Sequence, residues 1–577
     1  MAIAAEAGSA SPVDESAYLA AHRKLVEARW PADLPREPIY PFGEIPLTDY
    51  LRRWAETAPD RIAVDFYGHA ISYAALDAQA DRFAALLQQA GAAPGTRVAL
   101  FMGNCPQFIV CFLGILRAGC VHVPVNPMFR EHELDYELSD AQAEYIVAQD
   151  VLVPLVETVR PKTSLRKVWS TGMADLIPAE PAWPVPASIV SDRAAAGGAE
   201  DLAEAMAAAP ERPAPVEVDL DALCKLNYTG GTTGMPKGCV HTQRDMIYTA
   251  ATVQACGNRL QPGEVMLNFY PLFWMAGEDV GLIFPIFSGA TCVLLGRWDP
   301  VSFMAAVQAR KVTAVKLLVD NAVELMDHPR VGEFDLSSIE KTQVSSFVKK
   351  LNGEFRARWK ALTGSVMAEA AWGMTETQTC DTFTTGFQTD DYDLSLQPIF
   401  VGLPMPGTEF KICDFETGVP VPFGEEGEIC IRSPSILKEY WMKPEATAVS
   451  IKGGFLHTGD IGVIDELGFL HFLGRRKEML KVRGMSVFPA EIEAMLGRHP
   501  AILGSGVIGR EDADRGQVPV AFVVLDREKA QGLDGPAIEA WCGEAMATYK
   551  RPEVRLVDSL PMTATGKVKK DELAKLL

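Results

Sequence analysis

Residues 228–238 read Tyr-Thr-Gly-Gly-Thr-Thr-Gly-Met-Pro-Lys-Gly, and no other stretch of the chain is as informative. It combines glycines that let backbone N–H groups approach an anion, hydroxyl groups that bond phosphate oxygens, and a mobile positive charge. These candidates are Thr229, Gly230, Gly231, Thr232, Thr233, Gly234 and Lys237. The lysine precedes glycine, so the spacing is not that of Walker A. A strand over 222–227 would lead into the loop. We interpret the loop as phosphate-binding, against the alternative of a surface turn that binds nothing.

Length and charge limit the possible functions. A chain of 577 residues is too long for one core, so we expect at least two domains. The apolar fraction of 48% is that of a globular protein. A net charge of −21 argues against nucleic-acid and anionic-membrane binding, since both need a basic surface. A polyanionic ligand would therefore need a local basic pocket.

The cysteines and the apolar stretches predict a cytoplasmic protein without a transmembrane segment. The eleven cysteines form no Cys-x-x-Cys pair, which is typical of reduced thiols in the cytosol. Residues 1–16 lack the basic and apolar regions of a signal peptide. The most apolar stretch, 108–125, is interrupted by Arg117, Gly119 and His122, so it predicts a buried helix followed by a strand.

The pattern along the chain predicts an N-terminal arm and two domains. Residues 1–45 are polar and rich in proline, and we expect a loosely attached arm with one helix. Residues 46–476 alternate helical and strand patterns, which predicts an α/β domain of helix-covered mixed sheets. Within it we predict a hairpin over 61–73, a helix over 73–90 and a strand over 97–101. Residues 477–577 predict a small, mobile α+β domain.

A second candidate segment begins at Trp372 and reads Trp-Gly-Met-Thr-Glu-Thr. The indole could stack on adenine, the Thr375 hydroxyl could bond a phosphate, and Glu376 offers an oxygen to Mg²⁺. Taken alone, the segment is equally typical of a buried tryptophan and a helix N-cap.

Three further polar positions follow. Asp460 ends a tight Thr-Gly-Asp turn and could bind a ribose diol, and Arg475 lies fifteen residues later. Lys567 ends a Thr-Gly-Lys turn near the C-terminus. Taken alone, these positions are typical of a turn, a surface ion pair and a solvated lysine.

In this order, and from about residue 47 to 568, the segments resemble the adenylate-forming superfamily. That superfamily includes acyl-CoA synthetases, firefly-type luciferases and adenylation domains of peptide synthetases. The resemblance implies two steps: a carboxylic acid reacts with Mg·ATP to give an acyl-adenylate and pyrophosphate, and a thiol then displaces AMP. It implies that Lys567 bridges carboxylate and phosphate, and that the 229–237 loop holds the β- and γ-phosphates. It further implies α-phosphate contact by Thr375, Mg²⁺ binding by Thr229 and Glu376, and ribose binding by Asp460 and Arg475.

The resemblance also implies a conformational change between the two steps. The small domain would rotate about a hinge at Lys477. This rotation would withdraw Lys567 and bring the loop near Gly484 to the place where the thiol of coenzyme A arrives.

The acid-binding region departs from the common pattern of the superfamily. Trp274 stands where many relatives carry histidine, residues 345–349 replace a usual Gly-Gly-Ala stretch, and Trp372 replaces a more usual tyrosine. The candidate pocket residues are mostly apolar: Trp274, Met275, Gly277, Phe347 and Thr377. No aspartate is obviously placed to bind an α-amino group. We therefore expect an aliphatic, fatty or aryl monocarboxylate as substrate, with ATP, Mg²⁺ and coenzyme A.

Two alternatives remain open at this point. The chain could be a stand-alone adenylation enzyme that loads a separate carrier protein. It could also be a catalytically silent relative that binds nucleotide, although the retention of Glu376, Asp460 and Lys567 argues against silence. We expect a monomer or a homodimer, and no nucleic-acid partner.

Overall fold

The computed structural model describes residues 14–190, 193–194, 197–229, 235–370, 372–396, 399–483, 485–512, 514–530, 532–563 and 566–577. All eleven cysteines lie in these ranges, and each is buried and unpaired. Within the same ranges, no helix has both the length and the apolar character needed to cross a membrane.

The α-helices of the described residues are distributed along the whole chain. They are α1 Glu15–Arg29, α2 Leu47–Thr57, α3 Tyr73–Gln89, α4 Pro106–Arg117, α5 Glu131–Asp140, α6 Val153–Val159, α7 Leu202–Ala208, α8 Gln243–Cys256, α9 Met275–Glu278, α10 Phe284–Ser288, α11 Pro300–Arg310, α12 Val319–Asp327, α13 Gly353–Thr363, α14 Tyr392–Ser395, α15 Pro444–Ser450, α16 Pro489–Leu496, α17 Gly535–Ala545 and α18 Lys570–Ala574.

The strands alternate with these helices in the first half of the chain and cluster together later. They are β1 Ile62–Phe66, β2 His69–Ser72, β3 Arg97–Phe101, β4 Val121–Pro124, β5 Tyr145–Gln149, β6 Lys167–Thr171, β7 Glu200–Asp201, β8 Leu223–Tyr228, β9 Gly238–Thr242, β10 Val265–Asn268, β11 Thr291–Leu294, β12 Ala314–Leu318, β13 Lys341–Ser345, β14 Met367–Glu369, β15 Thr382–Phe383, β16 Phe400–Pro404, β17 Glu409–Cys413, β18 Gly427–Arg432, β19 Ile451–Lys452, β20 Phe455–Ile464, β21 Leu470–Arg475, β22 Leu480–Val482, β23 Met485–Val487, β24 Ile502–Asp512, β25 Gly516–Leu525 and β26 Glu553–Leu556.

Two seven-stranded sheets form the first part of the molecule. Their strand orders are β14-β13-β12-β10-β11-β1-β2 and β7-β6-β5-β3-β4-β8-β9. Each is parallel except for a terminal antiparallel hairpin, β1–β2 or β8–β9. Parallel sheets need cover on both faces, which explains apolar strands such as 97–101. The helices α3 and α4 pack together and share one apolar cluster with Val64 of the first sheet and Val98 of the second.

A third sheet is antiparallel, with the order β15-β16-β21-β20-β18-β17. The helix α1 packs on it, because Tyr18 and Leu19 are buried with Cys413 of β17 and Phe455 of β20. The His22 side chain also lies 3.1 Å from the carbonyl oxygen of Gly468. The expectation of a loosely attached arm is therefore wrong for residues 15–29, since apolar burial and a side-chain contact hold this helix to the sheet.

The last part of the chain forms a smaller α+β unit. Its sheet has the order β23-β22-β25-β24, and β26 pairs with β25. Helices α16 and α17 contribute Ile492 and Ile538 to its apolar core, beside Val507 of β24. The chain leaves the third sheet and enters this one through the single turn Arg476–Glu478. The architecture is thus the predicted α/β class, with a large assembly of mixed sheets and a smaller C-terminal unit.

Candidate active site

The strands β20 and β21 bring Asp460 and Arg475 together, because their antiparallel register places these two residues opposite each other. Arg475 Nε lies 3.1 Å from Asp460 Oδ1, and Trp372 Nε1 donates to Oδ2 at 3.2 Å. Burial raises the pKa of Asp460 to about 6, although the Arg475 charge opposes this shift. Oδ1 accepts no aligned hydrogen bond from any residue that the structure describes. A buried carboxylate oxygen with spare accepting capacity fits a hydroxyl donor such as that of a ribose.

The Trp372–Thr377 segment folds back on itself beside this pair. A Cβ on Gly373 would lie 2.0 Å from the carbonyl oxygen of Thr379, so only glycine fits there. Residues Thr375–Thr377 form a 3₁₀ turn. The Thr375 carbonyl accepts a hydrogen bond from His241 Nε2 at 2.8 Å. His241 lies on β9, directly after the phosphate loop, and therefore joins the two predicted nucleotide segments. The sequence analysis missed this contact.

A chain of contacts connects Glu376 to the phosphate loop. The Glu376 side chain is 8% exposed, and its Oε1 accepts from the Tyr440 hydroxyl at 2.9 Å. The ring of Tyr440 lies 3.8 Å below Lys237 Nζ, which is a close cation–π contact. The backbone N–H of Thr229 donates to the carbonyl oxygen of Lys237 at 3.0 Å. The backbone N–H of Lys237 donates to the Thr229 hydroxyl oxygen at 3.2 Å. Tyr440 is a further residue that the sequence analysis did not identify.

The remaining predicted loop residues cannot be placed. Gly230, Gly231, Thr232, Thr233 and Gly234 lie outside the described residues, as does Gly484. The two ends of the loop are fixed by the β8–β9 hairpin, in which Tyr228 pairs with Gly238.

Lys567 reaches the cleft from the C-terminal unit. Its Nζ lies 5.1 Å from the centre of the Phe347 ring, and a Cβ on Gly566 would come within 2.7 Å of the Leu318 side chain. Lys567 is exposed to solvent. Protein atoms near its ammonium group, Phe347 among them, still remove part of its hydration and so lower its pKa, and the Arg475 charge lowers it further. The charges of Arg475 and Asp460 both act on Lys567, so the three residues lie on the same side of the cleft.

The predicted hinge residue lies in the turn that connects the third and fourth sheets. Lys477 is exposed in the Arg476–Glu478 turn. Beside it, Glu478 accepts from Lys570 Nζ at 2.8 Å, and Lys570 also lies 3.2 Å from Glu493. These ion pairs lie within the C-terminal part of the chain and join the turn to α16 and α18.

The predicted acid pocket is more polar than expected. Trp274 and Met275 begin α9, and a Cβ on Gly277 would lie 1.9 Å from the Pro271 carbonyl oxygen. Thr377 is fully buried, and its hydroxyl donates to Asp381. Phe347 lies at Lys567, as described above.

Around α9 the structure reveals charged and polar residues that the sequence analysis missed. Lys225 Nζ lies 2.9 Å from Glu278 Oε2 and 3.0 Å from Met275 Sδ, and neither charged side chain is exposed. His122 Nε2 and Asn227 Nδ2 both lie 3.1 Å from Glu278 Oε1. A signal was present: Lys225 and Asn227 are alternate residues of one apolar strand, so both side chains point to the same face.

A cavity of about 370 Å³ opens between the end of α8 and the strands β13 and β14. Arg259, Lys341, Gln343, Ala368 and Gln388 line it. It contains none of the predicted site residues, so we base the site on the convergence of side chains described above.

Comparison with known proteins agrees with this geometry. The family model described as AMP-binding enzyme matches residues 51–441, and that described as AMP-binding enzyme C-terminal domain matches residues 491–567. A long-chain-fatty-acid–CoA ligase of Bacillus subtilis is 30% identical over 551 residues, which cover 94% of this chain and 96% of that protein.

Two solved structures are similar over nearly the whole chain. ATP-bound MatB from Rhodopseudomonas palustris has a TM-score of 0.77 and 28% identity, covering 92% of this chain and 99% of that one. The anthranilate CoA ligase AuaEII in complex with anthranoyl-AMP has a TM-score of 0.79 and 26% identity, covering 94% and 98%. The predictions of fold class, superfamily and an acyl-CoA ligase are confirmed. The chain belongs to the AMP-binding enzyme family, within the adenylate-forming superfamily.

Proposed function

We propose that this chain ligates a monocarboxylic acid to coenzyme A in two steps, with the cleft residues in the roles given below. In the first step a carboxylate oxygen attacks the α-phosphorus of ATP, an acid–phosphate anhydride forms, and pyrophosphate leaves. In the second step the thiol sulfur attacks the acyl carbon, the thiol loses its proton, and AMP departs. The observation that carries the proposal is the approach of Lys567 to the Asp460–Arg475 pair beside Trp372.

Each role follows from charge and hydrogen-bonding capacity. Attack of one anion on another needs a positive charge held close to both, and Lys567 supplies it. The free acceptor of Asp460 would bind a ribose hydroxyl, and Trp372 would face the adenine. Thr375 would contact the α-phosphate, while Lys237 and the glycine loop would hold the β- and γ-phosphates.

The cleft also offers ligands for Mg²⁺. Among the described residues, the carboxylate of Glu376 accepts a hydrogen bond only from Tyr440, on one oxygen. Its other oxygen and the Thr229 hydroxyl are hard oxygen ligands of the kind that Mg²⁺ prefers, so we propose that they hold the ion. When bound, Mg²⁺ neutralises phosphate charge.

We further propose that the chain divides into an arm at 1–45, a large domain at 46–476 and a small domain at 477–577, with the hinge at Lys477. The passage of the chain between two sheets within Arg476–Glu478 supports this boundary. The eleven buried, unpaired cysteines support a location in the reducing cytoplasm.

A panel of carboxylic acids, assayed for pyrophosphate release with and without coenzyme A, tests the proposal. We expect pyrophosphate and AMP to form only with an accepted acid, and acyl-CoA to appear without any added protein. A requirement for a carrier protein would favour the carrier-loading alternative, and nucleotide binding without pyrophosphate release would contradict the proposal.

A further inference from the structure

A buried aspartate lies where the helix after Trp274 changes its geometry. Asp279 follows α9 directly and begins a π-helical turn, Asp279–Ile283. Such turns widen a helix locally and are common at functional sites. Asp279 is 1% exposed. Its Oδ1 accepts from Gln378 Nε2 at 2.9 Å, and its Oδ2 accepts from the Thr379 hydroxyl at 2.6 Å.

These contacts place Asp279 next to the reacting centre. Gln378 and Thr379 directly follow the Thr375–Thr377 turn, to which we assign α-phosphate and metal binding. On the other side, Glu278 bonds Lys225 and Asn227 on β8, the strand that leads into the phosphate loop. The end of α9 is thus held between the two segments that would bind the phosphates. With the α-phosphate at Thr375, as proposed above, the substituents of the attacking acid would lie at this cluster.

The cluster has hydrogen-bond acceptors without donors. Gln378 Oε1 and Asn227 Oδ1 are buried, and no residue that the structure describes donates to them. The amide orientations are fixed by chemistry, since each amide nitrogen faces a carboxylate, which can only accept. Leaving a buried acceptor unpaired is costly, so a donor is expected to meet these oxygens.

The cations near the cluster are already paired. Lys225 is held by Glu278 within an interior that has no solvent exposure. His122 contacts the same carboxylate, and burial lowers the pKa of His122 below its usual value, which keeps the ring neutral. Lys225 and His122 therefore do not donate to Gln378 Oε1 or Asn227 Oδ1.

We propose that Asp279, Gln378 and Thr379 form the polar end of the acyl pocket, and that they select a compact acid carrying a hydroxyl or amino donor over an unsubstituted alkyl acid. The inference rests on the proposed function. A hydrocarbon chain in this position would shield the buried acceptor oxygens from water without donating a hydrogen bond to them. A hydroxyl or amino group of the substrate would donate that hydrogen bond.

The first test compares matched acids with the wild-type enzyme: benzoate with its ring-hydroxylated and ring-aminated isomers, and hexanoate with its ω-hydroxy derivative and with hexadecanoate. We expect kcat/KM for the best donor-bearing acid to exceed that of its unsubstituted parent by at least about 10²-fold. An unsubstituted acid that equals or exceeds every donor-bearing partner would overturn the inference and leave the proposed function intact. Absence of pyrophosphate release with all acids would instead contradict the proposed function.

The second test uses variants of the cluster. Asp279→Leu should lower the ratio of kcat/KM between the donor-bearing and parent acids at least about tenfold, mainly through KM of the donor-bearing acid. Thr379→Val, which keeps the side-chain shape, should lower the same ratio and covers the case in which Asp279→Leu does not fold. The assignment would be contradicted if Thr379→Val left the ratio of kcat/KM unchanged and if Asp279→Leu folded and kept the wild-type ratio.

The control is a buried ion pair outside the cluster. Asp81 lies 2.8 Å from Arg117 between α3 and α4, and both side chains are less than one-tenth exposed. Asp81→Asn should lower thermal stability but leave the ratio between the two acids unchanged. If Asp81→Asn shifts that ratio as far as Thr379→Val does, the effect is a general loss of packing and the inference fails.

Discussion

The nucleotide side and the acid side of the cleft are built in different ways. On the proposed nucleotide side, Trp372, Asp460 and Arg475 come from short turns and one hairpin register, and each is a candidate from the sequence. On the proposed acid side, Lys225 meets Glu278 and Asp279 meets Gln378, and each pair joins residues of different elements through packing. Groups that bind a constant ligand can be carried by short contiguous motifs. Groups that select a variable ligand depend on side-chain directions that are set across the fold.

This difference has a kinetic consequence. Variants on the nucleotide side should lower activity by the same factor with every acid, because they act on ATP and the anhydride. Variants on the acid side should change the ratio between acids. The predictions below are ordered from the largest expected effect to the smallest. Each tests whether a substitution on the proposed nucleotide side lowers activity by the same factor with every acid.

Lys567→Ala should have the largest effect. Loss of the only cation that we place on the attacking carboxylate should slow acyl-adenylate formation by about 10²- to 10³-fold, equally for all acids. Formation of the thioester from supplied acyl-adenylate should stay near the wild-type rate. Rapid-quench measurement of each half-reaction tests this.

The neighbouring Lys569 provides the control for that variant, because its side chain is exposed. Lys569→Ala should leave both half-reactions unchanged. Equal losses in the two half-reactions of Lys567→Ala would remove the assigned role.

Lys477→Pro should separate the half-reactions. Proline fixes φ near −65°, so the turn should no longer supply both domain orientations. We expect one half-reaction to slow at least about tenfold more than the other, as the same rapid-quench assays would reveal. Lys477→Ala keeps the backbone free and should affect both only weakly. If proline slows the two steps by the same factor, the hinge is elsewhere.

The pKa of Asp460 predicts a pH dependence of ATP binding. Burial raises this pKa to about 6, so the carboxyl gains a proton as the pH falls through that value. It then loses acceptor capacity for the ribose, and KM for ATP should rise about tenfold per pH unit below 6, with any acid. The effect of pH on folding stability has the opposite direction. Because the pKa of Asp460 is raised in the folded state, protonation at low pH stabilises that state, and this stabilisation is lost as the pH rises through about 6.

Steady-state kinetics between pH 5 and pH 8 test the binding effect, with Asp460→Asn as the comparison. That variant should have a high KM for ATP that varies little with pH. A wild-type KM that stays constant across this range would contradict the ribose role.

Tyr440→Phe should have the smallest effect. It removes one hydrogen bond to Glu376 while keeping the ring below Lys237. One hydrogen bond contributes about 1 kcal/mol net, so the Mg²⁺ concentration for half-maximal activity should rise about fivefold. Titration of Mg²⁺ at fixed ATP measures this. A Mg²⁺ requirement equal to that of the wild type would place the ion away from Glu376.

Much of the fold could be predicted from local patterns. The hairpin at β1–β2, the helix α3 and the strand β3 lie where the sequence predicts them, because their apolar periodicity is strong. The packing of α1 could not be predicted, since Tyr18 meets Cys413, which lies on a strand almost 400 residues later. The apolar residues of α1, such as Tyr18, Leu19 and Val26, predict that one side of the helix is buried, but they do not indicate which sheet covers it.

The site could be predicted to a similar extent. A turn that ends in Asp460, followed fifteen residues later by Arg475, is enough to suggest a hairpin pair. His241 contacts the Thr375 carbonyl and Tyr440 contacts the Glu376 carboxylate, and each pair is distant in sequence. Such contacts form only when the chain folds. The same holds for Asp279, whose partners lie about one hundred residues away.

The most direct test of the account is a single turnover in two stages. The enzyme is mixed with Mg·ATP and an accepted acid without coenzyme A, quenched and analysed by mass spectrometry, and coenzyme A is then added to a second sample. We predict bound acyl-adenylate in equal amount to released pyrophosphate, followed by its conversion to acyl-CoA and AMP. Formation of ADP and phosphate, or the absence of any acyl-adenylate with every acid tested, would contradict the account.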